Sequence, residues 1–378
     1  MDGSKRTVAA VILDILAERG VKQAFGIPGV HNLGFWNALS KSRPEIVSVR
    51  HEQSCVYAAD GLARATGKLS VAITTTGPGA ANTLGAFGEA AISGSQLLLI
   101  SSETPMKNRV ESGARGILHE MNDQSALFAP LAKRVKLDDK EIVLSKSTTT
   151  ALEAISTVVD FVELLGQAPT GAGYIGVPAD VLNQEFDQPI PSPSKGCSDF
   201  LTKERNTTID FDSIKNSLVG ITKIGIWAGG GAQGAGDQIA KLSEHLNAPI
   251  FTSFAGRGVA SSSRNYFNLP IHEKECEEIL GQCEALLVFG SQLDGMNTKN
   301  WSINFPKTIL LFDADPTVAL RNVTAQLVLK TSDLAASATK LLELPTCQKW
   351  VDVESVSEQG RKRIAESEKG RAGMRLVN

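Results

Sequence analysis

The chain has 378 residues, 42% of them hydrophobic and 21% charged, with a formal net charge of −3. That length implies two or three domains of ordinary core size, and the weak charge, with Lys and Arg scattered, argues against nucleic acid or an anionic membrane as partner. No apolar run approaches the ~18 residues of a membrane span, no signal-peptide core opens the chain, and five widely spaced cysteines without a CxxC pair fit reduced thiols in the cytoplasm.

Helix and strand patterns alternate from the start. Apolar residues at Val8, Val11, Ile12, Ile15 and Leu16 predict a helix over 7–19, stopped by Gly20. A short strand over 23–26 runs into Ile27-Pro28-Gly29, and a helix over 32–40 follows. A strand over 45–49 leads to a helix over 53–66 ended by Gly67. A strand over 69–75 is followed by Gly77-Pro78-Gly79 and a helix to about Ala91, and further strands are expected over 96–101 and 174–177. Nearly continuous apolar strands in a βαβα rhythm predict a parallel sheet covered on both faces.

The stretch Gln188 to Ser194 carries three prolines in seven residues and reads as an extended linker. A second α/β region follows, with strands expected over 223–228, 250–253, 285–290 and 308–313 and a helix over 238–246. Cys276 and Cys283, seven apart, would share one face of a helix. After Gln348 the chain turns polar, with one thinly apolar helix over 351–369. The fold class expected is α/β with two doubly wound parallel-sheet domains. Their boundaries are 1–185, a linker at 186–199, a Rossmann-like domain at 200–345, and a connector at 346–378.

Three strand-to-helix turns carry the candidate chemistry. Glu52, in Arg50-His51-Glu52-Gln53, opens a helix. It is either an acidic residue stabilised by the helix dipole or a proton carrier whose carboxyl is tuned by burial. Gly77-Pro78-Gly79 with Asn82 would let backbone approach a ligand, or would simply make a tight turn. Ile27-Pro28-Gly29-Val30-His31 is the third turn. All three fall at strand carboxyl ends, where open α/β sheets place their ligands. Leu118-His119-Glu120 has no HExxH continuation, so no metal ligand is assigned. Gly229-Gly230-Gly231 after a strand is compatible with a dinucleotide or with a vacant Rossmann-like turn.

Read together, Phe25-Gly26-Ile27-Pro28-Gly29-Val30-His31, Arg50-His51-Glu52-Gln53, the run Ala59 to Gly67, Thr75-Thr76-Gly77-Pro78-Gly79-Ala80-Ala81-Asn82 and Val177-Pro178-Ala179-Asp180-Val181 resemble the thiamine-diphosphate-dependent enzymes of the acetolactate synthase and 2-oxo acid decarboxylase type. Gly229 to Gly231, Ala255 to Gly258 and Asp313 to Pro316 resemble that family's central domain. The turn at 26–31 and Leu118-His119-Glu120 look closest to branches acting on larger 2-oxo acids, such as guanidino-oxo acids.

The resemblance implies thiamine diphosphate as cofactor, with the Glu52 carboxyl bonded to N1′ of its aminopyrimidine and promoting loss of the thiazolium C2 proton. Pro28, Gly29, Thr76, Pro78 and Asn82 would line the pyrimidine. His31, His119 and Lys133 would face a small 2-oxo acid substrate. It implies a lyase or transferase, a homodimer or dimer of dimers, and Mg²⁺ with the diphosphate held by a third domain that this chain does not reach. A separately encoded subunit carrying that domain is compatible with this layout, and the chain alone is expected to be inactive. FAD is not expected, because the Arg that flavin-binding relatives use in the segment here spanning 167–177 is missing. The competing assignments are a non-catalytic assembly or regulatory subunit and a dinucleotide-binding protein.

Overall fold

The computed structural model describes residues 6–110, 115–137, 140–203 and 210–370. The chain forms two compact units, dividing between Asn206 and Thr207.

In the first unit the elements run α1 (Val8–Glu18), β1 (Gln23–Gly26), α2 (Leu33–Asn37), β2 (Glu45–Ser48), α3 (Glu52–Thr66), β3 (Ser70–Thr74), α4 (Pro78–Ala81), α5 (Leu84–Ile92) and β4 (Leu97–Glu103). Then come β5 (Arg134–Leu137), β6 (Lys140–Val143), β7 (Ser145–Ser147), α6 (Ala151–Leu165), β8 (Ala172–Pro178), α7 (Ala179–Leu182) and α8 (Lys195–Lys203). Six strands make one sheet in the order β2-β1-β3-β4-β8-β7, parallel throughout. The pair β5–β6 is a separate antiparallel hairpin.

Every residue of β3, β4 and β8 is buried, as a sheet covered on both faces requires. Because side chains alternate along a strand, these runs feed two cores. Val71, Ile73, Leu98, Ile100, Ile175 and Val177 pack with α1 and α6. Ala72, Leu97, Leu99, Ala172 and Tyr174 pack with α3 and α5. Each fully buried Leu or Ile contributes about 1.5–3 kcal/mol by leaving water. Helix α1 is capped by the Thr7 hydroxyl, which accepts from the Ala10 amide. Helix α3 ends at Gly67, whose φ of +65° makes the left-handed stop.

The second unit holds α9 (Phe211–Ser217), β9 (Ile224–Ala228), α10 (Gly236–Leu246), β10 (Ile250–Thr252), α11 (Lys274–Leu280), β11 (Ala285–Phe289), β12 (Thr308–Asp313), α12 (Ala319–Asn322), β13 (Leu327–Lys330), α13 (Leu334–Lys340) and α14 (Val353–Gly370). Its five-stranded sheet has the order β10-β9-β11-β12-β13 and is parallel throughout. It too has two cores, one around Ile226, Leu287, Phe289 and Phe312 and one around Trp227, Leu286, Val288 and Leu311. The expected architecture of two parallel α/β sheets is therefore present.

Several local expectations need correction. Strands β7 and β13 and the hairpin were not anticipated. The region after β3 forms two helices, since α4 ends at Ala81 and α5 starts at Leu84. Cys283 lies beyond the end of α11, so it shares no helix face with Cys276. Helix α8 packs on the first unit through Cys197, Phe200 and Leu201. Helix α14 docks on the second unit through Val353, Val356 and Ile364 and through Arg363, paired with Glu273 and Glu275. The last part of the expected connector, 371–378, lies outside the described residues. Among the described residues no helix is long and apolar enough to cross a membrane.

Candidate active site

The chain passes from β1 to β2 on one side and then to β3 on the other, so β1 marks a topological switch point of the sheet. Crevices at such points collect the residues that follow each strand. Here they gather the turns after β1, β2 and β3, which hold Pro28, Gly29, His31, Glu52, Thr76, Pro78 and Asn82.

Glu52 is the first residue of α3. The imidazole Nδ1 of His51 caps that helix by accepting from the Gln53 amide at 3.1 Å. The Glu52 carboxylate is half-buried. Asn82, at the end of α4, donates its amide to Oε2 at 3.1 Å. The other oxygen, Oε1, faces Gly79, where an added Cβ would lie 3.8 Å away. One carboxylate oxygen is thus held by a side-chain amide while the other looks across a glycine.

The glycines of these turns serve close approach. A Cβ on Gly29 would lie 2.7 Å from Thr75 Oγ1, and one on Gly79 2.6 Å from Thr75 Cγ2. Gly77 has φ +65° and would place a Cβ 2.3 Å from the His119 carbonyl oxygen. The turn after β1 is tied internally, with the Asn32 side chain accepting from the Gly29 amide at 2.7 Å and donating to the Ile27 carbonyl at 3.1 Å.

His31 sets Nδ1 2.9 Å from Thr76 Oγ1. Partial burial, and secondly the neighbouring His119, push its proton affinity below the ordinary histidine value. His119 is exposed and has φ +67°, a left-handed backbone uncommon for a residue with a side chain. Glu120 folds back on its own loop, with Oε2 accepting from the amides of Arg115, Gly116 and Ile117. Those amides, Ile117 foremost, hold its carboxyl below the usual range.

Lys133 is placed elsewhere. Its ammonium donates to the carbonyls of Leu164 at 2.5 Å and Gln167 at 2.7 Å, satisfying the carboxyl end of α6. The structure therefore does not bring it to the cluster around Glu52.

The polar end of β4 also reaches this site, a contribution that the sequence patterns alone do not reveal. Ser102 Oγ lies 3.1 Å from Thr76 Oγ1. Gln124 accepts from the Gly77 amide at 2.6 Å and donates to the Ser102 carbonyl and the Tyr174 hydroxyl. Glu103, 5% exposed, is pushed upward in pKa by burial, although it bonds Ser147 and pairs with Arg109 at 2.7 Å. A cavity of about 520 Å³ opens beside it, lined also by Glu120, Asp123, Gln124 and Lys146. The available signal was the run Ser101-Ser102-Glu103-Thr104, polar residues prolonging a buried strand.

The triglycine turn after β9 is occupied by protein. A Cβ on Gly229 would lie 2.2 Å from the Gly290 carbonyl oxygen, and one on Gly231 3.1 Å from Gly290 Cα. These glycines let two strand-end turns pack backbone to backbone.

Residues 6–127 match the family model for the thiamine pyrophosphate enzyme N-terminal TPP binding domain, and residues 213–341 match that for the central domain of the same enzymes. The probable 2-ketoarginine decarboxylase AruI of Pseudomonas aeruginosa is 33% identical over 82% of this chain and 53% of its own length. An acetolactate synthase of Bacillus subtilis is 27% identical over 82% of this chain and 52% of its own. A solved structure from Mycobacterium smegmatis, titled as that of a "putative thiamin diphosphate-dependent enzyme", superposes with a TM-score of 0.73 at 19% identity, covering 91% of this chain and 64% of that one. The fold and the two matched segments define a thiamine-pyrophosphate enzyme module. The chain belongs to that family, with its N-terminal TPP-binding and central domains, and spans about half the length of the curated relatives it matches.

Proposed function

We propose that this chain supplies the pyrimidine-binding half of the active site of an enzyme that decarboxylates a 2-oxo acid, alone or followed by carboligation. The diphosphate and Mg²⁺ would be held by a further domain or subunit, in a homodimer or dimer of dimers in the cytoplasm. The observation that carries this is the Glu52 carboxylate at the switch point, with Asn82 on one oxygen and the Gly79 backbone facing the other.

The residues present fit an aminopyrimidine. A flat heteroaromatic ring needs a carboxyl at a ring nitrogen, and Glu52 turns Oε1 toward the Gly79 backbone, where no side chain intervenes. When bound, thiamine diphosphate supplies the electron sink that a 2-oxo acid needs to lose CO₂. Glu52 holds and passes a proton at the ring nitrogen. Asn82 fixes the carboxylate plane, and Pro28, Thr76 and Pro78 bound the ring. His31 and His119 orient the substrate.

The cavity beside Glu103 is lined by charges of both signs, Glu120 and Asp123 with Arg109 and Lys146, and would take a polar side chain. The relative named as a 2-ketoarginine decarboxylase makes a guanidino 2-oxo acid the first substrate to try, with pyruvate as comparison. Glu52→Gln in the complete enzyme should lower CO₂ release at least about 100-fold while the circular dichroism stays native. Undiminished turnover in that variant would remove the proton role. An intact assembly that releases no CO₂ from either acid would favour the non-catalytic subunit instead.

A further inference from the structure

We propose that Ser102 is a positioning residue that fixes His31 as the Nε2–H tautomer, so that its ring presents a hydrogen-bond donor away from Thr76. A short chain of hydroxyls leads to the His31 ring. His31 Nδ1 is 2.9 Å from Thr76 Oγ1, which is 3.1 Å from Ser102 Oγ, which is 3.5 Å from Thr75 Oγ1. Thr76 is 1% exposed and Ser102 is fully buried, so these hydroxyls must satisfy one another.

Each hydroxyl has one proton to give. Ser102 has two neighbours, Thr76 at 3.1 Å, at the edge of the hydroxyl hydrogen-bond range, and Thr75 at 3.5 Å, well outside it, so its proton goes to Thr76. Thr76, now accepting from Ser102, has its own proton left for Nδ1 of His31. Accepting from one neighbour strengthens donation to the next. A ring whose Nδ1 accepts carries its proton on Nε2. Ser102 cannot swing away from this task easily. Its backbone is paired in β4 opposite Val177, and its carbonyl accepts from Gln124 at 3.1 Å.

The tautomer matters because partial burial and His119 hold His31 toward its neutral form. In that form the hydrogen-bonding character of Nε2, and not ring charge, decides what the residue offers. A donor at Nε2 suits the carbonyl or carboxylate oxygen of a 2-oxo acid. That use rests on the proposed function, whereas the tautomer itself is a property of this chain and is measured without cofactor or substrate.

The test is the side-chain ¹⁵N spectrum of the five histidines in the full chain at pH 8, with His31 assigned by its loss in His31→Gln. The expected result is a protonated Nε2 and a bare Nδ1. In Ser102→Ala the preference should fall about five- to tenfold, the effect of one hydrogen bond, and Ser102→Thr should restore it. If the alanine variant does not fold, Ser102→Cys serves, since a thiol is a weaker donor and should lower the preference partway. A protonated Nδ1 in the unaltered chain, or an unchanged ratio in a natively folded Ser102→Ala or Ser102→Cys variant, would overturn the proposal. A native tautomer shift in a chain whose complete enzyme releases no CO₂ would leave the positioning role standing and remove only its catalytic use.

Discussion

Asp313 closes β12 in the second unit, and burial, with Asp315 beside it, lifts its carboxyl from the ordinary 3.8 to about 6. The folded chain therefore holds this proton more tightly than the unfolded chain does. Its contribution to stability is greatest below about pH 4, falls as pH rises through 6, and stays lower above. Asp313→Asn keeps an oxygen to accept from the Asp315 amide and removes the charge. We expect it to raise stability by on the order of 2 kcal/mol at pH 8 and to leave it unchanged near pH 4, as read by urea denaturation at the two pH values. A variant equally stabilised at both would mean that the carboxylate charge is not what costs stability.

Among elements, the turn after β3 is where backbone geometry is least replaceable. Gly77→Ala would force a side chain into a positive φ and drive its Cβ against the His119 carbonyl, so a loss of about 3 kcal/mol is expected. Gly61→Ala is the matched control: Gly61 sits inside α3 with no atom within 4 Å of the added carbon and should gain about 0.5–1 kcal/mol. Equal effects from the two would refute the packing argument. Lys133 belongs to this scale as well. Lys133→Met should cost about 1–2 kcal/mol, because the α6 carbonyls lose a charged donor. Cofactor affinity and KM should not move, and a raised KM at unchanged stability would return Lys133 to the substrate. What the sequence made legible follows the same logic. The turns at 27–31, 50–53 and 75–82 were readable because strand, glycine and helix start are all local signals. Ser102 and Gln124 were not, since their partners Thr76 and Gly77 lie 26 and 47 residues away. The lysine was misplaced because its acceptors are 31 and 34 residues downstream. Strand β7, Ser-Lys-Ser at a sheet edge, carries no apolar pattern to read.

At the level of the whole molecule, each unit carries its own sheet and its own pair of cores, and only the first unit carries the Glu52 turn. Occupation of the site should therefore be felt locally. Thiamine diphosphate with Mg²⁺ at ten times its dissociation constant should stabilise the state it binds by about 1.4 kcal/mol. Hydrogen exchange followed by mass spectrometry resolves where that stabilisation falls. Amides of peptides from α3, β3 and the 75–82 turn should slow several-fold, while those of β9 and the 229–236 turn should exchange at their unliganded rates. The second unit's glycine turn has the look of a nucleotide cradle in sequence, yet Gly229 and Gly231 are spent on Gly290 and Gly230 faces Ala255. Protection confined to 224–236 would assign the ligand to that turn and would take the pyrimidine away from Glu52. Protection confined to the first unit would place it at the switch point of the six-stranded sheet, and Glu52→Gln should then abolish most of that protection without altering exchange in the second unit.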